Sequence, residues 1–386
     1  MQMIPLGKPS LNRGAIIEQI KKVLDSGWIA GAGPATERFE RALERYLNLP
    51  AGYTAIAVSS GTAALHMAIK YHTRDIPRPL NILCPSYSFI STASAVGMPA
   101  NYMWGDIDCN GCNMDPSVRV HGIPDVIIPV HQYGVPYTTA ELDTMAYAPI
   151  IEDAACALGS EMEKGRKVGA SGNLVCFSLH ARKTLTCGEG GVIVVPPSCD
   201  KGWFLRERNF GMLRTPYARY SKKEYADPSY VQAGFNFKMS DIQAAVALAQ
   251  LCQLNNSIDR RRKLYRLYEN HLPPGVNPMR IRAGSNHQNL RVVFPNQDIR
   301  DYVRDTLRAK GIMVKNTIQP IHREPCIKAT LPRPLVDLFV NAWDGQLPNT
   351  LDASTRGLWL PMYDELAEEQ VHKICEEIKH AVESAE

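Results

Sequence analysis

Hydrophobic spacing divides the chain into an opening helical stretch, an alternating middle and a differently textured last third. Residues 12–26 place Ile16, Ile17, Ile20, Val23 and Leu24 on one face, which predicts a helix ended by Gly27. A second helix is predicted after Thr36, with Phe39, Ala42, Leu43, Tyr46 and Leu47 on one side. Between them GWIAGAGP (27–34) reads as a Gly/Pro loop. Short apolar runs then follow: AIAV (55–58), NILC (81–84), DVIIPV (125–130), PIIED (149–153), NLVCFS (173–178) and GVIVV (191–195). Their β-branched content and flanking breakers predict strands, with a helix over Thr62–Lys70. Strands apolar throughout are buried on both faces, which predicts a mostly parallel sheet between helices.

The texture changes after residue 240. Asp241–Leu254 and Ser257–Leu272 predict long helices. HQNLRVVF (287–294), a helix over 298–309 and GIMVK (311–315) predict strand–helix–strand, and a terminal helix follows Asp364. The expected class is α/β: a large domain over 1–240, with its N-terminal helical segment, and a smaller α+β domain over 241–386. No internal repeat or low-complexity segment is visible.

Composition narrows the function classes. Hydrophobic residues make up 45% and charged residues 21%, which is ordinary for a globular chain with a sizeable core. A formal charge of +4 over 386 residues does not suggest a nucleic-acid partner. No run reaches the ~18 apolar residues of a membrane span, so no membrane partner is expected. The opening MQMIPLGKPS has no basic flank and apolar run, so no secretory signal is expected. With 10 scattered Cys, this predicts a reducing, cytoplasmic setting. Cys109 and Cys112 form a single C-x-x-C without the second pair or His partners of a zinc site, and no metal is expected. Arg260–Lys263 reads as a solvated charge run on a helix.

Three segments carry candidate chemistry. Ser59-Ser60-Gly61-Thr62 lies between a buried strand and a helix, where free N–H groups and the positive end of the helix dipole suit a phosphate. The bland reading is a plain turn capped by Thr62. Glu152-Asp153 ends a strand, where ligands of open α/β sheets gather; the bland reading is a helix cap. The most informative segment is FSLHARKTLTCGEGG (177–191). It puts Lys183 in a loop between two buried strands, where burial turns an amine into a nucleophile toward carbonyls.

These segments, in this order, resemble the DegT/DnrJ/EryC1/StrS aminotransferases, fold-type I pyridoxal-phosphate enzymes. The resemblance runs through GWIAGAGPATERFE, SSGTAALHMAI, PSYSFISTASAVGMPANYMWGDID, PVHQYGVP, IIEDAACALGS, the lysine loop, GFNFKMSDIQAA and LWLPMYDEL. It implies pyridoxal 5'-phosphate as cofactor, held by Lys183 as a Schiff base, with Lys183 also moving the proton. Asp153 would hold the pyridine nitrogen. Ser60, Gly61, Thr62 and Ser178 would take the phosphate, Phe89 would stack on the ring, and His180 would line the pocket. Asn236 would reach the phosphate region of a partner subunit, since the family's sites lie at a homodimer interface. Trp28 and His322 are candidates for the substrate side, each with a bland alternative as a core or loop residue.

The resemblance further implies an amino-acid donor, glutamate, and a keto-sugar acceptor linked to a nucleotide. A cyclitol or other cyclic ketone is an alternative acceptor. A sugar dehydratase of the same fold would carry His in place of Lys183, and a non-catalytic homologue would not keep these residues together. Several positions depart from the family pattern. Cys156 stands where Gln approaches the cofactor's 3'-oxygen, Lys238 where Arg is common, and Phe210 where His is frequent. RDIPRPLNILC replaces an acidic, glycine-rich lead-in.

Overall fold

The structure is a computed structural model; it describes residues 3–97, 99–109, 111–213, 217 and 227–385. Helix α1 spans Arg13–Ser26; Asn12 caps it by accepting from the Ala15 amide, and Gly27 ends it in the left-handed region at φ 68°. Of its predicted apolar face only Val23 is buried; Ile17 and Leu24 are 54% and 58% exposed. The spacing predicts the helix correctly, but within one chain little of that face is covered.

Helix α2 spans Pro34–Tyr46 and begins two residues before the expected Thr36. Its cap position is Gly33, which has no side chain to accept the free amides. A carboxylate from far along the chain does so instead. Asp241 Oδ2 accepts from the Ala35 amide (2.8 Å), and Oδ1 accepts from the Gly33 and Thr36 amides and the Thr36 hydroxyl (2.6 Å). A Cβ on Gly33 would lie 2.6 Å from that carboxylate and closer still to the Trp28 ring, so glycine is needed there.

The middle of the chain supplies β1 (Thr54–Val58), α3 (Gly61–Thr73), β2 (Leu80–Pro85), α4 (Ser91–Ser94), β3 (Ala100–Gly105), β4 (Val126–Ile127), α5 (Thr139–Met145), β5 (Ile151–Asp153), β6 (Leu174–Ser178), β7 (Gly191–Val195) and α6 (Lys201–Glu207). Hydrogen bonding joins β3-β2-β4 and β1-β7-β6-β5. Parallel bridges Ile127–Ile150 and Val130–Asp153 align the two groups into one order, β3-β2-β4-β5-β6-β7-β1. The pairs β2–β3, β2–β4 and β5–β6 are parallel, as expected. Strand β7 runs antiparallel to both neighbours because it returns from β6 through a loop rather than a crossover helix. That loop carries Lys183.

The sheet is buried on both faces. Ala55 and Ala57 join Phe39 and Leu43 of α2 in one core, while Ile56 and Val58 join Ala64, Leu65 and Ala68 of α3 in another. Helix α7 (Asp241–Leu251) packs Ala244, Ala245 and Ala247 into the first of these cores. The change of core therefore falls beyond the expected division at 240/241. It occurs along α8 (Leu254–His271), where Leu264, Tyr265 and Tyr268 enter a third core.

The remaining elements are β8 (Asn277–Pro278), β9 (Leu290–Val293), α9 (Gln297–Ala309), β10 (Lys315–Asn316), α10 (Pro325–Lys328), α11 (Val336–Gln346), α12 (Pro348–Arg356), β11 (Gly357–Leu360) and α13 (Glu368–Ala385). Strands β10-β11-β9-β8 form an antiparallel sheet covered by α8, α9 and α13. Ile321, Ile327 and Leu347 instead pack back onto the first sheet. The start of the chain joins this half: the Ile4 amide donates to Gly311 O, Ile4 O accepts from the Met313 amide, and Leu6 O accepts from Met362.

The charge run on α8 is not simply solvated. Arg260 donates to Leu366 O (2.7 Å) and Asp364 O, and buried Arg261 pairs with Asp364 (2.9 Å) and donates to Met362 O and Gln288 O. No helix among the described residues is long and apolar enough to cross a membrane.

Asp241→Ala is expected to cost about 3 kcal/mol or more, since it strands several buried donors. Denaturant unfolding measures this. A variant as stable as the parent would show that the cap does not hold α2 in place.

Candidate active site

Strand register assembles the site. Val58, Gly191 and Ser178 lie side by side at the ends of β1, β7 and β6, and Asp153 ends β5 two strands from β7. This places the β1–α3 turn against Ser178. A Cβ on Gly61 would sit 2.9 Å from that of Ser178, and one on Gly191 would sit 2.4 Å from the Ser60 carbonyl. Glycine at both positions lets the two loops approach. At the N-terminus of α3, Ser60 Oγ accepts from the Ala63 amide and Ser60 O from the Ala64 amide. The Gly61 and Thr62 amides precede these bonds, so the positive end of the helix faces the Ser178 hydroxyl.

Asp153 is buried. Its Oδ2 accepts from the Thr92 hydroxyl (2.8 Å) and Oδ1 from the Ala155 amide (3.1 Å). Burial raises its pKa above the ordinary value, against the opposing pull of these bonds and of Lys183 and His131. The Thr92 hydroxyl also meets Ser88 (2.8 Å), so the loop bearing Phe89 is tied to the carboxylate. Phe89 itself is 69% exposed, its ring free to meet a ligand.

Beside Asp153, Glu152 is also buried. His131 Nδ1 accepts from the Tyr137 amide, so its Nε2–H donates to Glu152 Oε2 (2.8 Å). Ser171 and Asn173 complete the shell, and these bonds hold the Glu152 carboxyl below its usual pKa despite burial. Because its folded pKa is depressed, the stability it contributes is present above the unfolded value and lost as pH falls through the folded one.

Lys183 is half-buried. Its amide donates to His180 O (2.9 Å), and its amine lies 3.1 Å from the Cys156 sulfur. His180 Nε2 faces Glu189 at 3.7 Å near the surface. Lys238 and Phe210, two departures from the family pattern, are partners: the amine stands 4.4 Å over the ring. Burial and then Arg208 lower the Lys238 pKa to about 8. Asn236 is exposed, on a segment that bonds back to Asn209 and precedes the Lys238–Val58 bridge.

Trp28 is half-buried and His322 is buried. Trp28 packs on Gly33 and lies edge-on to Tyr217. His322 is fully buried: Nδ1 meets the Ser86 hydroxyl (2.6 Å) and Nε2 meets Asp344 (2.8 Å). Its connection to the pocket runs through Ser86, at the base of the Phe89 loop. Cys112 is buried and accepts from Arg291 (2.9 Å), while Cys109 is exposed. Sequence reasoning missed Thr92, Ser88 and His131. The hydroxyls in PSYSFISTAS were the available signal for the first two.

Residues 11–379 match the family model of the DegT/DnrJ/EryC1/StrS aminotransferase family. The chain belongs to this family. It is 28% identical to a GDP-perosamine synthase of Escherichia coli O157:H7 over 98% of each chain. Its fold is similar to that of a putative sugar aminotransferase, Spr1654, of Streptococcus pneumoniae in its PLP form (TM-score 0.86, 22% identity, 100% of each chain). It is equally similar to a 3-amino-5-hydroxybenzoic acid synthase (TM-score 0.86, 24% identity, 99% of this chain and 100% of the other). As a family member the chain is a pyridoxal-phosphate-dependent aminotransferase of the fold-type I class.

The side chains fit that cofactor. Helix amides facing a hydroxyl suit a phosphate. A buried carboxylate with a raised pKa suits a protonated ring nitrogen, which would offset the cost of burying the charge.

Two outcomes follow. Because the folded pKa of Asp153 is raised, the ionised carboxylate costs stability as pH rises through it. Cofactor-free Asp153→Asn should therefore melt no lower than the parent at pH 7, yet bind cofactor about tenfold or more weakly. A large loss of melting temperature without cofactor would refute this. Glu152→Gln should cost about 1–3 kcal/mol at neutral pH. It should also flatten the loss of stability on acidification below about pH 4.5. Urea unfolding across pH measures both effects.

Proposed function

We propose that the chain transfers an amino group from an amino acid, glutamate, to a keto-sugar linked to a nucleotide. The observation that carries this reading is the end-to-end similarity to a GDP-perosamine synthase, covering 98% of both chains. When bound, pyridoxal phosphate supplies an aldehyde that captures amines and a ring that accepts the electron pair left by a departing proton.

The chain's own residues would do the rest. Ser60, Gly61, Thr62 and Ser178 hold the phosphate. Asp153, fixed by Thr92 and the Ala155 amide, keeps a proton on the ring nitrogen. Lys183 Nζ would hold the aldehyde carbon and, once the incoming substrate amine has displaced it, would be free to remove and return the substrate proton in both half-reactions. Cys156 lies within reach of that amine. Phe89 covers the ring, and His180 lines the entrance.

The site is completed, in this proposal, by a second copy of the chain. Phe210, Leu213, Tyr230, Val231 and Phe235 are exposed on the segments around Asn236, an apolar surface suited to a homodimer face. From that face Asn236 would reach the partner's phosphate region. Trp28 would lie on the substrate side, and His322 would act from behind the pocket by holding Ser86.

The test is spectral. The enzyme is loaded as the pyridoxamine form and offered a panel of keto-sugars carrying GDP, UDP or TDP. Return of the aldehyde-form absorbance with at least one of them is expected. No response to any nucleotide-linked keto-sugar, with a response to a free cyclic ketone, would overturn the substrate class. Lys183→Ala should abolish turnover and the lysine-linked absorbance while melting within a few degrees of the parent. Turnover at the parental rate would remove Lys183 from the chemistry.

A further inference from the structure

We propose that Gln288 and Asn286 are positioning residues that set Lys183 against Cys156. The inference rests on the reading of Lys183 as the cofactor-bonding lysine.

The loop that precedes β9 runs across the back of the site. Gln288 Oε1 accepts from both the amide (2.8 Å) and the hydroxyl (2.6 Å) of Thr184, and its Nε2 donates to Arg182 O (2.7 Å). These are the residues immediately before and after Lys183. One side chain thus grips the lysine's backbone on both sides.

Asn286 does the same for the facing loop. Its Nδ2 donates to Cys156 O (2.9 Å) and Leu158 O (2.9 Å), and its amide donates to the Ser160 hydroxyl. Its Oδ1 accepts from the Gln288 amide (3.0 Å), which couples the two grips. Gly134 makes room: a Cβ there would lie 1.9 Å from Asn286 Oδ1. Both residues are buried, so these bonds do not compete with water.

The residue between them explains the alternation. His287 adopts the left-handed backbone region, φ 54°, an uncommon conformation for a non-glycine residue. With it, Asn286 and Gln288 both bond inward, while the His287 ring packs beside Tyr265 at 5.1 Å. Buried Arg261 anchors the loop by donating to Gln288 O (3.1 Å). The amine-to-sulfur spacing of 3.1 Å is therefore held by a loop that belongs to neither strand end of the site.

A misplaced amine should still find the cofactor but bond it slowly. The experiment mixes cofactor-free full-length protein with pyridoxal phosphate. It follows the lysine-linked absorbance with time and pH, and measures total retained cofactor by ultrafiltration. Gln288→Leu is expected to slow bonding about tenfold or more and to shift the pH midpoint of the absorbance, with retained cofactor little changed. Gln288→Glu keeps the acceptor for Thr184 and should recover part of the rate. Parental rate and pH midpoint in Gln288→Leu would overturn the proposal. If that variant does not fold, Thr184→Val and Gln288→Glu carry the test, and parental behaviour in both overturns it. Lys183→Ala separates the two readings. Absorbance persisting in it sinks the Lys183 reading; its loss alongside a normal Gln288→Leu sinks only the positioning role.

Discussion

The close approach of two backbone turns is the constraint on which the site depends. The β1–α3 turn and the ends of β6 and β7 meet where Gly61 and Gly191 leave no room for a side chain. Only because β7 returns antiparallel between β6 and β1 do Ser178 and the turn before α3 come together. The same return creates the loop that carries Lys183. One reversal of strand direction therefore brings a helix N-terminus, a hydroxyl and an amine to one edge of an otherwise parallel sheet.

Electrostatics at that edge are arranged by burial rather than by exposed pairs. Glu152 and Asp153 are adjacent and both buried, yet their pKa values are pushed in opposite directions. Glu152 points to a full set of donors from His131, Ser171 and Asn173 and is a settled structural charge. Asp153 has a hydroxyl and one amide, fewer donors than Glu152. The alternation of a β-strand sends neighbouring carboxylates to opposite faces, and this gives the two acids their different surroundings.

What was legible in the sequence was local. Strands, helix starts and the Lys183 loop announce themselves through runs, breakers and motif order. The cap of α2 was not legible, because its acceptor, Asp241, is brought to Gly33 only by the tertiary fold. The charge run on α8 looked solvated because nothing local marks Arg261 as the buried partner of Asp364. Ile17 and Leu24 fit the helical period but lack a covering surface within one chain. At the site, Lys183, Asp153 and the SSGT turn carry motif signals. Thr92, His131, Asn286 and Gln288 act through contacts between distant segments, which no spacing rule reports.

The attachment of Ile4 to Gly311 and Met313 has a consequence for synthesis. Synthesis runs from Ile4 toward Gly311, so more than three hundred residues separate the emergence of Ile4 from that of its hydrogen-bond partners Gly311 and Met313. Gln288 likewise arrives long after the lysine it grips. The nascent chain can assemble most of the first sheet early, but the closing contacts join residues far apart in sequence, and such contacts form slowly. The half-made chain carries Lys183 without the loop that bonds its two neighbours. During synthesis, then, these contacts become available only after most of the chain has emerged.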